Sequence, residues 1–523
     1  MGSSCSGLSP DCEIIVKTGD VKGAATDANI YCALYNEDKT RSRDLYLHCK
    51  WKDDFGKGSV DNFKVHSFGL PPGPLHRIEI WRDDSGIGDD WYVEWIKVKM
   101  LNPASTEEAV MFPCNRWVKA ERRLNLTQYD CVLPQFDENP EQRKQELEDK
   151  RDLYRLSIKE PGFPKQVENC PKEENFSNDY KWDIGKSAAK VVVECLLVKL
   201  TSDPWDTLDD CADLYQGILP MPNGYYNWKK DSNFGSQRVQ GCNPTILRLC
   251  TEIPENFKVT AELVEPFLRG MTLEDAMKNK KIYIVNLQKL SDIHCRFNRL
   301  ICTPMALFFV NNRQELMPIA IQLFQKPADD NPVFVPSDSK YTWMMAKMYY
   351  NNADAAFHQS CTHLGFTHLV AETMCVGTHR QLSPSHPVFQ LLAPHYLYLL
   401  AINSLAFTAL IAPDGWVDKT MTTGAEGMKE LIKYSWPSWR MDIDGWLPAD
   451  WLTEGYVVTS IKFTFETAFE VDDVEAFPNY PYRDDALLLF EAIHTYVREV
   501  LQAFYDTPEK LTGDWEIQNW DTR

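Results

Sequence analysis

The hydrophobic pattern of this chain changes its period near residue 120, and this change limits the folds that are available to it. From about residue 12 to residue 120, apolar and polar residues alternate with a period of two, in short runs separated by Gly, Asp, Asn and Pro. The runs are EIIVK, NIYCALY, DLYLHC, NFKVHSF, HRIEIW and WYVEWIKVKM. Short strands at this spacing are typical of an antiparallel β-sandwich.

Beyond about residue 200 the apolar runs become longer and take a helical period, as in KYTWMMAKMYYNNADAAFHQ and DDALLLFEAIHTYVREVLQAFYD. Thr272, and Asp484 with Asp485, stand ahead of apolar runs and predict helix starts. The charge-dense stretch 137–151 predicts a solvated linker or a surface helix. The predicted fold class is multidomain α and β, with an N-terminal antiparallel β-sandwich followed by a large, mainly α-helical domain.

The longest apolar stretch runs from Pro387 to Ala412 and contains Pro394, His395 and Asn403. These residues favour a buried core helix over a membrane span.

Composition excludes some classes of partner. The net charge of −20 provides no basic stripe for phosphates, so we expect no nucleic-acid partner. The 15 cysteines are scattered without CxxC pairs, and no segment is typical of a signal peptide, which predicts reduced thiols and a cytoplasmic protein.

The first residues, MGSSCS, fit an acylation pattern at Gly2 and Cys5, which predicts reversible membrane association unless the match is accidental.

Three histidines recur at intervals of five in HQSCTHLGFTHLVAE, at His358, His363 and His368. A step of five residues in an α-helix leaves neighbouring side chains about 140° apart around the axis, so a regular helix cannot direct two of these rings to one point. A local π-turn can, and such turns are frequent at functional sites. The alternative is that these are ordinary core or surface histidines.

The surrounding sequence resembles the catalytic domain of lipoxygenases, the non-haem iron enzymes that dioxygenate polyunsaturated fatty acids. The resemblance covers nearly everything from about 180 to 520. It is carried by FGSQRVQGCNPTIL, ALFFVNNRQELMPIAIQL, NPVFVPSD, YTWMMAKMYYNNADAAFHQ, HPVFQLLAPH and PYRDDALLLFEAIHTYV. It implies that His363 and His368 are iron ligands, that His358 is not, and that Gln359 forms hydrogen bonds around them. The implied partners are a polyunsaturated fatty acid and O₂.

The same resemblance implies roles for three residues that position the substrate. Leu364 and Leu410 match the leucines that hold the reacting pentadiene beside the iron. Ala406 matches a small-residue position at which alanine usually accompanies S oxygenation and glycine R oxygenation. Phe407 follows it, where the family usually has a basic residue. Packing on an apolar helix is the alternative explanation for all three residues.

The N-terminal sandwich, up to FPCNRW at 112–117, resembles the PLAT domain that precedes animal lipoxygenase catalytic domains. Calcium-responsive members gather oxygen ligands from three loops at one end of the sandwich, as Ca²⁺ requires. The matching positions are Thr26, Asp27, Asp53, Asp54, Asp89 and Asp90. The resemblance thus implies calcium as a second cofactor and a calcium-dependent membrane partner, with Trp51, Ile87 and Trp117 able to enter the membrane surface. Ordinary solvated turn aspartates are the alternative.

The resemblance also implies domain limits: a tail at 1–11, the PLAT sandwich at 12–120, a linker and the start of the catalytic domain at 121–180, and the catalytic domain at 181–523. The family's remaining iron ligands come from a later core helix and a C-terminal Ile, whereas only His494 lies beyond His395 here. Glu372 is a further candidate ligand. We therefore expect either a piece of a longer enzyme or a shortened, non-catalytic lipid-binding relative. A zinc hydrolase is disfavoured because HExxH is absent.

Overall fold

The computed structural model describes residues 10–49, 53–66, 69–85, 90–101, 109–120, 122–201, 204–215, 217–439, 477 and 479–521. Its N-terminal part is an antiparallel β-sandwich of two four-stranded sheets, ordered β4-β1-β6-β7 and β3-β2-β5-β8. The strands are β1 Cys12–Thr18, β2 Ile30–Asn36, β3 Leu45–Leu47, β4 Val60–Val65, β5 Leu75–Arg82, β6 Trp91–Met100, β7 Val110–Val118 and β8 Leu124–Thr127.

The period-two pattern explains the sandwich. In β1 every second residue is buried, and these residues face an apolar core shared by both sheets. Ile14 pairs with Phe63 on one side and with Val98 on the other, so the three side chains lie on one face. Strand β8 pairs with β5, which carries the sandwich past residue 120 to Thr127.

The rest of the chain is mainly helical, as predicted, and surrounds one small antiparallel sheet. That sheet has the order β11-β12-β13-β14-β15, and a two-stranded ribbon, β9-β10, precedes it. The strands are β9 Leu156–Ser157, β10 Gln166–Val167, β11 Arg248–Leu249, β12 Ile282–Asn286, β13 Met305–Val310, β14 Leu316–Gln322 and β15 Val333–Phe334. All six residues of β13 are buried, and the largest core cluster joins this sheet to the helix that carries the candidate site.

The helices flank that sheet and are connected by short 3₁₀ turns. They are α1 Pro140–Leu153, α2 Asn178–Thr201, α3 Asp231–Gln240, α4 Ala261–Val264, α5 Leu273–Lys278, α6 Lys340–Phe357, π1 His358–Leu369, α7 Val370–Gln381, α8 Pro387–Leu392, α9 Leu399–Leu405, π2 Ala406–Leu410, α10 Trp416–Thr420, α11 Gly424–Ser435, α12 Pro481–Phe504, α13 Pro508–Thr512 and α14 Trp515–Asp521. Thr272 caps α5 as predicted, because its side chain accepts from the Asp275 N–H at 3.1 Å. Helix α12 begins three residues before Asp484, with Pro481 in the first turn, where proline is well tolerated.

Helix α1 confirms that the charged stretch contains a surface helix, and it also has one buried side. Arg143 and Leu147 on α1 are buried, although the helix has the composition of a surface segment. The Arg143 Nη1 atom lies 2.9 Å from Glu516 Oε1, and Nε contacts Asp137. Paired opposite charges can be buried where unpaired ones cannot, so the buried side of α1 contacts a distant part of the chain.

The apolar stretch from Pro387 to Leu410 is not one buried core helix, and that prediction is wrong. By length and composition it is the single described helical stretch that could cross a membrane, and 28% of its 18-residue apolar window is buried. It is broken between α8 and α9, where Pro394 lies in a 3₁₀ turn and Tyr398 has a φ of 63°. The break follows from the proline, which cannot donate a helical hydrogen bond.

The sandwich and the helical domain are joined through a buried arginine. Arg116 on β7 is 7% exposed and lies 2.8 Å from Asp130 and 3.0 Å from Glu146. Its Nη2 atom donates to Ser385 Oγ at 2.6 Å, four residues after α7 ends. The helix that follows the candidate site is thereby attached to the sandwich.

Candidate functional site

The three histidines lie on a π-helix, which confirms the prediction of π geometry. Helices α6, π1 and α7 follow one another without a break, and π1 spans 12 residues. Backbone bonding from residue i to residue i+5 places side chains that are five apart on nearly the same face. A Cβ atom at Gly365 would lie 3.2 Å from the Ser360 carbonyl oxygen, so the π-helix leaves little room there for a side chain.

The π-helix directs His363 and His368 at each other. Their Nε2 atoms are 3.2 Å apart, and the ring planes are inclined by 80°. His358 does not join this contact but stacks on His363, with the ring centroids 5.9 Å apart and the planes within 8°. Two imidazole ligands at right angles, each about 2.1 Å from a metal ion, would be about 3.0 Å apart. The pair therefore has the separation of two neighbouring metal ligands.

Both rings have a hydrogen-bond partner at the nitrogen that faces away from the pair, and for His368 this partner determines the tautomer. Asn403 Nδ2 donates to Glu372 Oε2 at 2.7 Å and to the His368 carbonyl at 3.1 Å, so its Oδ1 atom must face His368 Nδ1, at 2.8 Å. On the other ring, His363 Nδ1 lies 3.1 Å from Gln359 Oε1. His368 Nδ1 is then a donor, and His368 Nε2 presents its lone pair to His363 Nε2.

Electrostatics favours a neutral His363 ring. Partial burial, together with the nearby rings of His368 and His358, lowers the pKa of His363, which keeps the ring neutral. The His368 lone pair is directed at the His363 ring, whose Nε2 atom is 3.2 Å away. Neutral imidazoles are the form that binds divalent first-row metals, so the donor set fits non-haem iron.

Glu372 is not placed as a ligand, which corrects that candidate. One carboxylate oxygen accepts from the Val167 N–H at 2.9 Å and the other from Asn403. The side chain is 1% exposed, and burial raises its pKa. Glu372 and Asn403 instead orient His368, a role that their sequence spacing did not indicate. Asn403 was visible in the sequence only as a polar residue in an apolar run.

The residues expected to position a fatty acid lie on two neighbouring π-helices. Leu364 on π1 is 8% exposed and packs in a cluster with Ile411, which directly follows π2. Ala406, the first residue of π2, is 6% exposed, while Leu410 at its end is 42% exposed. Phe407 lies in the Leu364 cluster. A Leu364 side chain therefore lies beside the segment that carries the other two residues.

The first loop expected to bind calcium contacts the second loop and the strand that follows the third. The Thr26 N–H donates to the Phe55 carbonyl at 3.4 Å, which joins the first loop to the second. The Tyr92 N–H donates to Ala24 at 3.1 Å, which joins the first loop to the strand after Asp90. Thr26 is buried, whereas Asp27 is exposed. Thr26, Phe55 and Tyr92 are thus joined through the backbone of the first loop.

Asp54 is the most constrained of the loop carboxylates. Its Oδ2 atom accepts from the Cys49 N–H at 2.7 Å and lies 3.2 Å from His48 Nδ1, while Oδ1 is buried without a hydrogen-bond partner. Such an atom suits a cation ligand. Asp53 is exposed and Asp90 is half-buried. Within the described ranges, no three His, Cys, Asp or Glu side chains are grouped closely enough to hold a metal ion.

Trp117 corrects the expectation that it enters a membrane. Its indole N–H donates to Glu173 Oε2 at 3.2 Å, and Lys172 Nζ lies 6.0 Å from the ring centroid. The ring packs edge-on against Tyr92 at 5.1 Å. Trp117 therefore lies in the contact between the sandwich and the helical domain. Gly2, Cys5, Trp51, Ile87 and Asp89 lie outside the described residues.

Comparison with known proteins agrees with this architecture. The Lipoxygenase family model matches residues 171–523, and the PLAT/LH2 domain model matches residues 12–129. The chain is 33% identical to the allene oxide synthase-lipoxygenase protein of Plexaura homomalla, over 97% of this chain and 49% of that protein. It is 31% identical to the polyunsaturated fatty acid lipoxygenase ALOX15B of Rattus norvegicus, over 88% of this chain and 67% of that one.

Solved structures give the same result. A coral 8R-lipoxygenase matches with a TM-score of 0.79 and 31% identity, and a calcium-dependent 11R-lipoxygenase with a TM-score of 0.80 and 30% identity. Each match covers 97% of this chain and 75% of the other. The chain thus spans 49% of the Plexaura protein's length and 75% of the length of these structures. The two-domain fold, the histidine pair on π1 and the match across residues 171–523 show that the chain belongs to the lipoxygenase family.

Proposed function

We propose that this chain carries part of an iron-dependent fatty-acid dioxygenase, with His363 and His368 as two of the iron ligands. The observation that carries the proposal is the 3.2 Å approach of their Nε2 atoms. Non-haem iron, when bound, supplies the redox chemistry by which a hydrogen leaves a bis-allylic carbon and O₂ adds to the fatty acid. The substrate is a polyunsaturated fatty acid and the product its hydroperoxide.

In this proposal the chain's own residues orient the two histidine rings and position the fatty acid. Asn403 and Gln359 fix the ring tautomers, and Glu372 fixes Asn403. Leu364 and Leu410 line the approach of the pentadiene, and Ala406 leaves limited space beside one of its faces. The PLAT domain binds calcium through Thr26, Asp27, Asp53, Asp54, Asp89 and Asp90. Calcium then brings a cytoplasmic protein to a lipid surface, where acylation at Gly2 and Cys5 adds to the attachment.

Metal titration tests the iron ligands directly. Co²⁺ titrated into the full chain without oxygen is expected to bind with a change in visible absorbance, and His363→Ala or His368→Ala should abolish that change. His358→Ala is the matched control, because its ring lies on the same π-helix outside the pair, and it should retain binding. Equal binding by all four proteins would refute the assignment.

A second candidate is a lipid-binding relative without turnover. It is favoured by one observation: in the parts of the chain that the structure describes, no third acidic, His or Cys side chain joins the pair. The two candidates separate in a conjugated-diene assay with a polyunsaturated fatty acid and added Fe²⁺. Absorbance growth that His363→Ala removes supports the enzyme, whereas calcium-dependent vesicle binding with no diene formation supports the lipid-binding protein.

A further inference from the structure

We infer that two buried asparagines, Asn243 and Asn403, hold the π spacing of π1 and thereby set the separation of the His363 and His368 ring nitrogens. The inference rests on the proposed role of these histidines as metal ligands. Asn243 and Asn403 are positioning residues, since each acts on the site through the backbone of the helix.

A long π-helix needs support from outside itself. π-helices occur mostly as single turns within α-helices, because regular α spacing is the more favourable arrangement. Where the bonding changes from i+4 to i+5, helix carbonyls lose their regular donors, and a buried carbonyl without a donor is costly. Segment π1 has 12 residues, so the structure must supply donors at its boundaries.

Asn243 supplies the donor at the first boundary. Its Nδ2 atom donates to the Asp354 carbonyl at 2.8 Å. The His358 N–H donates to this carbonyl and also to the Ala355 carbonyl, so neither has that donor to itself. The Asn243 Oδ1 atom accepts from Thr362 Oγ1, also at 2.8 Å. One amide group therefore ties the end of α6 to the residue immediately before His363. The ion pair of Arg238 with Asp354, at 3.2 Å, holds this boundary in turn.

Asn403 supplies the donor at the second boundary. Its Nδ2 atom donates to the His368 carbonyl, one residue before π1 ends, and its Oδ1 atom faces the His368 ring. The two asparagines come from distant parts of the chain, and they are 3% and 1% exposed. Water cannot easily take the place of these buried amide groups as donors to the helix carbonyls. Each asparagine therefore bonds a main-chain carbonyl at a place where the helix changes its spacing.

The functional consequence follows from helix geometry. If π1 relaxed towards α spacing, side chains five residues apart would turn to about 140° from each other. His363 and His368 would then no longer share one metal ion. Loss of the Asn243 bonds is expected to loosen the helix before it affects the rest of the domain.

Hydrogen exchange on the metal-free chain tests the helix without reference to any metal. Asn243→Ala should speed exchange of the amides of residues 362–369 about tenfold, the expected effect of losing one hydrogen bond. Asn331→Ala is the matched control, because this buried amide also donates to two carbonyls, those of Phe324 and Lys326, away from the site. Exchange in 362–369 that is equal in the two variants would overturn the inference.

A second pair of variants covers the case in which Asn243→Ala fails to fold. Thr362→Val removes the hydroxyl that donates to Asn243 and keeps the shape, while Thr362→Ser keeps the hydroxyl. Thr362→Val should raise both the exchange rate and the Co²⁺ dissociation constant about tenfold, and Thr362→Ser should restore both. Identical behaviour of the two variants contradicts the inference. If the unmodified chain binds no Co²⁺, the proposed function fails, but the exchange result still decides whether Asn243 holds π1.

Discussion

Glu372 shows what a single buried carboxylate does beside the histidine pair. Both of its oxygens accept hydrogen bonds, from Val167 N–H and from Asn403 Nδ2. Glu372→Gln would place an NH₂ group against one of these donors whichever way the amide turned. We expect the free energy of unfolding to fall by about 1–3 kcal/mol, because a buried donor is left unsatisfied.

Urea unfolding of the metal-free protein measures this effect. Glu491→Gln, an exposed glutamate on α12, serves as the matched control and should cost less than about 0.5 kcal/mol. Equal losses in the two variants would show that the Glu372 contacts contribute nothing specific.

A second prediction for a single residue concerns the pH dependence of stability at His379. Burial, with Lys150 nearby, lowers the pKa of His379 well below its usual value, and the ring stacks on Tyr154 at 4.3 Å. The unfolded chain therefore binds a proton near pH 6.5 that the folded chain does not. The stability from this group is complete above about pH 6.5 and is lost as the pH falls below it. His379→Phe should make the fall of stability between pH 6.5 and pH 5 shallower.

Ala406 is the residue that we expect to influence the stereochemistry of the product. It is buried at the start of π2, where a methyl group takes up space that glycine would leave open. In a form of the protein that turns over fatty acid, the hydroperoxide should be mainly S, and Ala406→Gly should move it towards R. Chiral chromatography measures the ratio, and an unchanged ratio would remove Ala406 from this role.

At the scale of the element, the loops at one end of the sandwich are expected to respond to calcium. Asp53→Asn combined with Asp90→Asn should abolish calcium-dependent sedimentation of the full chain with anionic vesicles, because amides are weaker ligands than carboxylates for Ca²⁺. Asp38→Asn is the control. Asp38 follows β2, whereas Asp27 precedes it, so the two lie at opposite ends of the strand. Binding that persists in the double variant would mean that the site lies elsewhere.

At the scale of the whole molecule, Arg116 links the two domains. Arg116→Met would leave the buried Asp130 and the half-buried Glu146 without their cation, which is expected to cost about 3–5 kcal/mol. Arg123→Met removes an exposed arginine of the same sandwich, 3.3 Å from Glu79, and should cost at most about 1 kcal/mol. Scanning calorimetry should show a lower transition temperature for the first variant, and similar temperatures for both would contradict the assigned role of Arg116.

The amount of iron that the chain retains also depends on the whole molecule. Two imidazoles fill only part of an iron coordination sphere, and the described residues offer no third member of the group. We therefore expect the 523-residue chain to retain little iron through purification and to form no conjugated diene unless Fe²⁺ is added. Metal analysis by mass spectrometry measures this. Near-stoichiometric iron that His363→Ala removes would show that residues outside the described ranges complete the site.

The sequence alone determined the order of the two domains, the sandwich strands and the family. The alternation of strands and the dense motifs depend only on residues that are close together in the chain. It also indicated that His363 and His368 need π geometry to meet. Only the tertiary structure decided that Asn403 and Glu372 orient His368, that Trp117 faces Lys172 rather than a membrane, and that the stretch after Pro387 is broken. These depend on contacts between residues far apart in the chain, such as the 205 positions between Val167 and Glu372, which no local pattern encodes.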